Sequence, residues 1–201
     1  MKTALLLSGG MDSIALAWWL RPQLAITIDY GQLPARAEMQ AAAQVCKELS
    51  IPHQVLTFDT SELGSGDLAG TAADAHAPAS DWWPFRNQLL ITLAGAAALR
   101  ARCDNLVIGT VATDSTHRDG TPAFVAQMSK LMELQEGGLS VQAPAHGLTT
   151  AELIVQSGLP TELLAWSHSC HKANFPCSDC RGCIKHWEVL EALKLSAHEL
   201  S

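Results

Sequence analysis

At 201 residues and 48% hydrophobic content, the chain can bury one sizeable core with room for a small appendage. Its 13 basic against 20 acidic residues give a formal net charge of -7 without a basic stripe, which argues against a large nucleic-acid footprint and for a small-molecule ligand. No apolar run approaches a membrane span and no basic-then-apolar leader opens the sequence, so the expectation is a cytoplasmic protein.

The apolar run Ala4-Leu5-Leu6-Leu7 reads as a buried strand, and Ser8-Gly9-Gly10-Met11-Asp12-Ser13 follows it as a turn into the helix that begins Ile14-Ala15-Leu16-Ala17. A strand, a glycine turn and a helix in this order aim unpaired backbone N–H groups and the positive end of a helix dipole at one spot, where an anion such as a phosphate binds. A tight turn in which Asp12 and Ser13 only cap the helix is the plainer account. The whole hexapeptide at the first strand-to-helix turn favours nucleotide binding, with Leu7 through Ala17 as the binding stretch.

Leu24 to Asp29 is a second buried strand ending at Tyr30-Gly31-Gln32, residues 36–49 a helix, and His53 to Phe58 a third strand. This alternation predicts a doubly wound, mostly parallel five-stranded α/β sheet whose ligands sit at the carboxyl edge, where Tyr30 and Gln32 also fall. From Asp59 to Ser80 no periodicity survives, which predicts a long mobile loop and a candidate lid. The loop ends at Asp81-Trp82-Trp83-Pro84-Phe85-Arg86-Asn87. There Trp83 is suited to stack on a heterocycle and Arg86 and Asn87 to read a carboxylate or purine edge, while simple core cover by the aromatics is the competing account. A helix over 86–102 is apolar on nearly all sides and should be buried. Asn105 to Thr110 is the fourth strand, leading to the polar stretch Thr113 to Asp119, in which Asp114 and Asp119 are candidate ligands for substrate or magnesium and a solvated turn is the alternative. A helix over 121–134, a strand over Ser140 to Ala143, a capping box from Thr149 and Glu152, and a last helix from Gly182 to about Leu195 complete the chain.

Cys170, Cys177, Cys180 and Cys183 follow C-x6-C-x2-C-x2-C, which brings four thiolates to one tetrahedral ion. Zinc in a closed, structural site is the expectation, with an iron-sulfur cluster or a Cys177–Cys180 redox pair as alternatives. His168, His171 and His186 lie close in sequence and read as packing residues that could replace one ligand. Cys46 and Cys103 read as buried small hydrophobes. The domain expectation is a nucleotide-binding α/β unit over 1–160 with a metal-bearing helical segment over 161–201 packed on it.

The SGGxDS turn lacks both the Walker lysine and the dinucleotide fingerprint, and it resembles the pyrophosphate loop of the N-type ATP pyrophosphatases. With Tyr30-Gly31-Gln32, Pro84-Phe85-Arg86-Asn87, Ile108-Gly109, Asp114, Asp119, Phe124, Pro144, Leu148-Thr149, Ser169-Cys170 and the cysteine cluster, nearly the whole chain is similar to the 7-cyano-7-deazaguanine synthases of queuosine biosynthesis. That resemblance implies a homodimer with one zinc ion per subunit. Its activity would be to activate the carboxylate of 7-carboxy-7-deazaguanine with ATP, take up ammonia to form the amide, and dehydrate the amide to the nitrile with a second ATP. It implies magnesium near Asp12, catalytic roles for Asp12, Ser13 and Arg86, and deazapurine contacts from Tyr30, Gln32, Trp83, Arg86, Asn87, Asp114 and Asp119. A tRNA-thiolating pyrophosphatase would share the loop but would need a basic docking face, and a non-catalytic zinc module would need no nucleotide.

The sequence departs from that pattern at Thr150 and His171, where the family has lysine and often tyrosine, and between Arg118 and Pro122, which lacks the usual cysteine and arginine. These departures also fit a paralogue from an antiphage signalling system that stops at the amide or joins the deazaguanine to a protein amine. The loss of a cation at Thr150 would slow nitrile formation unless Arg86 or Lys172 supplies the charge.

Overall fold

The computed structural model describes residues 2–114 and 116–194; Leu195, the expected end of the last helix, lies outside them. Five strands, β1 (Thr3–Leu6), β2 (Leu24–Asp29), β3 (His53–Thr57), β4 (Asn105–Val107) and β5 (Ser140–Gln142), form one sheet in the order β3-β2-β1-β4-β5. Every pairing is parallel, with Ala4 opposite both Leu24 and Leu106. Helices α1 (Met11–Leu20), α2 (Ala35–Leu49), α3 (Arg86–Arg100) and α4 (Pro122–Glu133) make the crossovers. Then α5 (Thr150–Ser157), a short α6 (Thr161–Leu164) that the sequence did not announce, and α7 (Arg181–Ala192) follow the last strand.

Alternation along the strands feeds two cores. Leu5, Leu7, Ala25 and Val107 pack with α1, α2 and the C-terminal helices, including Leu163, Leu164, Val189 and Leu190. Ala4, Ile26, Leu106 and Val141 pack with α3 and α4 on the opposite face. The doubly wound expectation is therefore met, and the segment after residue 160 shares the first core. Because β2 lies on one side of β1 and β4 on the other, the chain reverses its winding between β1 and β4, and the crevice opens at their carboxyl ends.

Three local expectations change. Helix α3 is buried only on the side of Ile91, Ala94 and Ala98, with Gln88, Thr92, Ala96 and Arg100 exposed, because its alanines give little hydrophobic contrast between faces. The 59–80 segment is held rather than featureless. Two 3-10 turns, Ser61–Leu63 and Gly66–Leu68, place Leu68 in the interior; Thr60 N donates to Tyr30 O (3.0 Å) at the start of the segment, Leu33 N to Leu68 O (2.9 Å) at its middle, and Asp67 N to Ser80 O (2.7 Å) ties the middle to the end. The fourth strand stops at Val107; Ile108 N still donates to Gln142 O of β5 at 2.9 Å, and Ile108, Gly109 and Thr110 then border the crevice. No described helix is long and apolar enough to cross a membrane.

This topology makes β2 internal and β3 an edge strand with Val55 44% exposed. Ile26→Ala should therefore cost about 2–5 kcal/mol, whereas Val55→Ala should cost under about 1 kcal/mol. Urea unfolding of both variants measures this; equal losses would contradict the strand order.

Candidate active site

The turn after β1 is clamped on both sides. Gly9 adopts φ +81°, and a Cβ there would stand 2.5 Å from the Glu38 carbonyl oxygen of α2, so no side chain fits. On the other side His168 N donates to Gly9 O at 2.9 Å. Gly10 caps α1 in an extended conformation with no side chain accepting from the first turn, and among the described residues the N–H groups of Met11, Asp12 and Ser13 find no acceptor. Ser13 Oγ donates to Gly10 O at 3.0 Å and lies 3.2 Å from Ser8 Oγ. Met11, Ile14, Ala15, Leu16 and Ala17 point into the core, so within this stretch the crevice is faced by Leu7, Ser8, Gly10, Asp12 and Ser13.

A cavity of about 570 Å³ extends from this turn past the ends of β2 and β4 to the starts of α3 and α7. At the turn, Gly109 comes so close that a Cβ would lie 3.4 Å from the Ser13 backbone. Asp12 and Asp114 share one cation: Lys185 Nζ is 3.2 Å from Asp12 Oδ2 and 3.0 Å from Asp114 Oδ1. Burial raises the Asp12 carboxyl above its ordinary value despite Lys185. The Thr150 hydroxyl lies near enough to favour the charged form, yet neither Asp12 Oδ1 nor Thr150 Oγ1 makes a hydrogen bond of good geometry, and Thr110 Oγ1 is likewise buried and unpaired. Lys172, in contrast, pairs with Asp179 at 3.3 Å and Asp67 at 3.9 Å, outside the cavity lining.

Arg86, the first residue of α3, also lines the cavity. Burial alone would lower its pKa, but Tyr30, Asp119, Asp81 and Glu38 around it more than offset this and hold it charged. Asp81 ties the end of the 59–80 segment to the rest of the cavity wall. Its Oδ1 accepts from Arg181 Nη1 at 2.6 Å and lies 3.4 Å from His117 Nε2, and its Oδ2 lies 3.6 Å from His171 Nδ1. Burial alone would raise this carboxyl, but His117, His171 and Arg181 hold it well below the usual range. Burial pushes the Glu38 carboxyl up to about 7, against the Gln32 hydrogen bond and Arg86.

Several expected ligands are engaged with each other. Asp119 Oδ2 accepts from Asn87 N and Asp119 O from Asn87 Nδ2, both at 3.0 Å, which caps an α3 whose N-cap is Phe85 with φ +57° and no side-chain bond. Asn87 still borders the cavity; Asp119 does not. Gln32 is buried, accepting from Tyr30 N at 2.9 Å and donating to Glu38 Oε2 at 2.8 Å. Trp83 is 2% exposed and meets Tyr30 edge-on at 4.9 Å, so it backs the tyrosine rather than facing the cavity. Lys185, Glu38, Asp81 and Arg181 are the site residues that sequence reasoning missed; only Glu38, in the first turn after a strand's carboxyl end, carried a local signal.

The cysteine segment supports a metal. The sulfurs of Cys170, Cys177, Cys180 and Cys183 all lie within 4.8 Å of one another. Burial raises the Cys183 thiol, so its thiolate calls for a cation beside it. None of the neighbouring histidines joins the cluster: His168 Nε2 contacts Ala173 O at 3.0 Å, His186 Nδ1 contacts Ser169 Oγ at 2.9 Å, and His171 faces Asp81. Cys46 and Cys103 are buried singly in the two cores, as expected.

With this geometry in view, residues 2–194 match the family described as queuosine biosynthesis protein QueC. The chain belongs to that family. It is 30% identical over 212 residues to the 7-cyano-7-deazaguanine synthase of Methanosarcina barkeri, covering 92% of this chain and 91% of that one. The Stutzerimonas stutzeri 7-cyano-7-deazaguanine synthase is 32% identical over 203 residues, covering 92% and 88%. Among solved structures, the U34-tRNA thiolase NcsA from Methanococcus maripaludis with its [4Fe-4S] cluster superposes with a TM-score of 0.55 at 20% identity. That alignment covers 96% of this chain and 65% of the thiolase, a likeness of fold alone.

The raised Glu38 carboxyl gives a pH prediction for this QueC-family chain. Its folded-state value of about 7 exceeds the ordinary 4.5, so the folded chain keeps a proton that the unfolded chain has released. Stability should therefore fall as pH rises through that window, by about 2–3 kcal/mol. Glu38→Gln should match the parent near about pH 5 and exceed it near about pH 8 in urea unfolding. A variant no more stable at the higher pH would contradict the buried carboxyl.

Proposed function

We propose that the chain is an ATP-dependent, AMP- and pyrophosphate-releasing ligase that converts 7-carboxy-7-deazaguanine to 7-cyano-7-deazaguanine. The observation that carries this reading is the uncapped start of α1 at the winding reversal, at a cavity of about 570 Å³ that Arg86 also lines. The family membership and the names of its relatives support the same substrate.

A carboxylate is a poor electrophile because hydroxide is a poor leaving group; adenylation replaces it with AMP. The substrate carboxylate oxygen attacks the α-phosphorus, the bond to pyrophosphate breaks, and ammonia then displaces AMP to leave the amide. A second ATP activates the amide oxygen, and loss of AMP and of the amide protons gives the nitrile. The protein's part is positioning and charge neutralisation. The N–H groups of residues 11–13 and the Ser8 and Ser13 hydroxyls hold the phosphates. Arg86, backed by Tyr30, faces the deazapurine, and Glu38, a cavity-lining carboxyl raised to about 7, is suited to take the proton that the attacking ammonia must lose.

The unpaired Asp12 Oδ1 and the facing Asp114 form an oxygen donor set that fits magnesium, which would supply charge on the departing pyrophosphate. The four thiolates fit zinc in a closed structural site. Residues 1–160 act as the nucleotide-binding unit and 161–201 as the metal-bearing segment, and the resemblance implies a cytoplasmic homodimer. A reaction truncated at the amide rested on the missing cation at Thr150. Lys185 already stands at Asp12, which favours completion to the nitrile.

Incubation with ATP, ammonia and 7-carboxy-7-deazaguanine should yield AMP, pyrophosphate and the nitrile by mass spectrometry. Asp12→Ala should lower kcat/KM by about 10²–10³ while leaving the fold intact. ADP and phosphate without AMP would overturn the reading. Metal analysis should find about one zinc per chain, and Cys180→Ala should lower both zinc content and thermal stability. Iron in place of zinc, or a stable metal-free protein with full activity, would overturn the zinc assignment.

A further inference from the structure

The pyrophosphate turn has no lysine of its own, and the cavity shows where one comes from. Three side chains with a permanent positive charge line the cavity, Arg86, Arg181 and Lys185. Arg86 sits among Tyr30, Glu38, Asp81 and Asp119. Arg181 is committed to Asp81 at 2.6 Å and to Thr116 Oγ1 at 2.8 Å. Among the described residues, Lys185 alone reaches the start of α1, bonded to Asp12 at 3.2 Å from 173 residues further along the chain.

Its delivery depends on the cysteine segment. Cys180 is the N-cap of α7, its sulfur accepting from Cys183 N at 3.4 Å, and Lys185 follows in the next turn of the same helix. Gly182 lets α7 lie against the Ser169 carbonyl, with no space for a Cβ. The neutral, buried Thr150 beside Asp12 leaves the lysine as the cation at that carboxylate. A nucleotide's phosphates approaching Asp12 and Asp114 would meet two negative charges were Lys185 absent. An ammonium on a flexible stem, with three rotatable donors, can turn from the carboxylates to a phosphate oxygen without leaving the site.

We propose that Lys185 is a phosphate-binding residue of the nucleotide site, set in place by the metal-bearing segment, so that the cysteine cluster serves ATP binding as well as stability. This rests on the ATP reading above, and the experiment separates the two. Steady-state AMP release by the zinc-loaded protein is measured for the parent, K185R and K185M, varying ATP and 7-carboxy-7-deazaguanine in turn. K185M should lose about 10²-fold or more in kcat/KM for ATP. Its KM for the deazaguanine should stay within about twofold and its zinc content unchanged, while K185R, keeping a donor and the charge, should recover about tenfold or more of the loss. Should K185M hold less zinc or unfold earlier, K185Q, which keeps hydrogen bonding without the charge, is expected to show the same ATP-specific loss. A parent protein that forms no AMP overturns the ATP reading and this assignment together. An active parent whose K185M and K185Q variants keep the KM and kcat for ATP overturns this assignment alone, leaving an internal ion pair.

Discussion

The turn between β1 and α1 is the constraint on which the rest of the structure depends. A helix start that is to bind an anion must leave its N–H groups unpaired, and an unpaired, uncapped helix end costs stability unless its surroundings hold it. Here the surroundings are tight. Gly9, at positive φ, touches the α2 backbone on one side and accepts from His168 on the other, so the turn cannot relax into a side-chain-capped form. The sheet order then decides where it points: with β2 and β4 on opposite sides of β1, the crevice at the winding reversal receives the free end of α1.

Negative charge at that crevice is the second constraint. Asp12 and Asp114 face one another in a partly desolvated wall, an arrangement suited to a divalent cation but hostile to a bare phosphate. The C-terminal segment supplies the counter-charge through Lys185, and it also supplies Arg181, which pins Asp81 and with it the end of the 59–80 segment. The cysteine cluster is thus the base of a helix that closes two sides of the cavity. Leu163, Leu164, Val189 and Leu190 join the same core as Leu5 and Leu7, so this closure is also packed from beneath.

Much of this was legible in the sequence where the signal is local. Alternation of apolar strands with helical stretches, the glycine turn between β1 and α1, the Thr149–Glu152 capping box and the gathering of the four cysteines each depend on residues a few positions apart, and the structure shows each of them. The polar residues were harder because their partners are remote. Asn87 and Asp119 pair across 32 positions to cap α3, and Arg181 and Asp81 pair across 100; nothing near either residue marks the choice. Lys185 follows the cysteine motif and looks like a surface lysine until α7 is docked. Trp83 is open from sequence to both stacking on a heterocycle and covering the core; the structure shows the second, with the indole buried behind Tyr30.

The central claim, that this cavity adenylates a carboxylate at the β1–α1 turn, is tested most directly by isotope exchange. With labelled pyrophosphate, ATP and 7-carboxy-7-deazaguanine but no ammonia, the first step alone can run forward and back. The account predicts label returning to ATP only when the carboxylate is present. Absence of exchange with the folded, metal-loaded protein, or exchange that ignores the carboxylate, would contradict it.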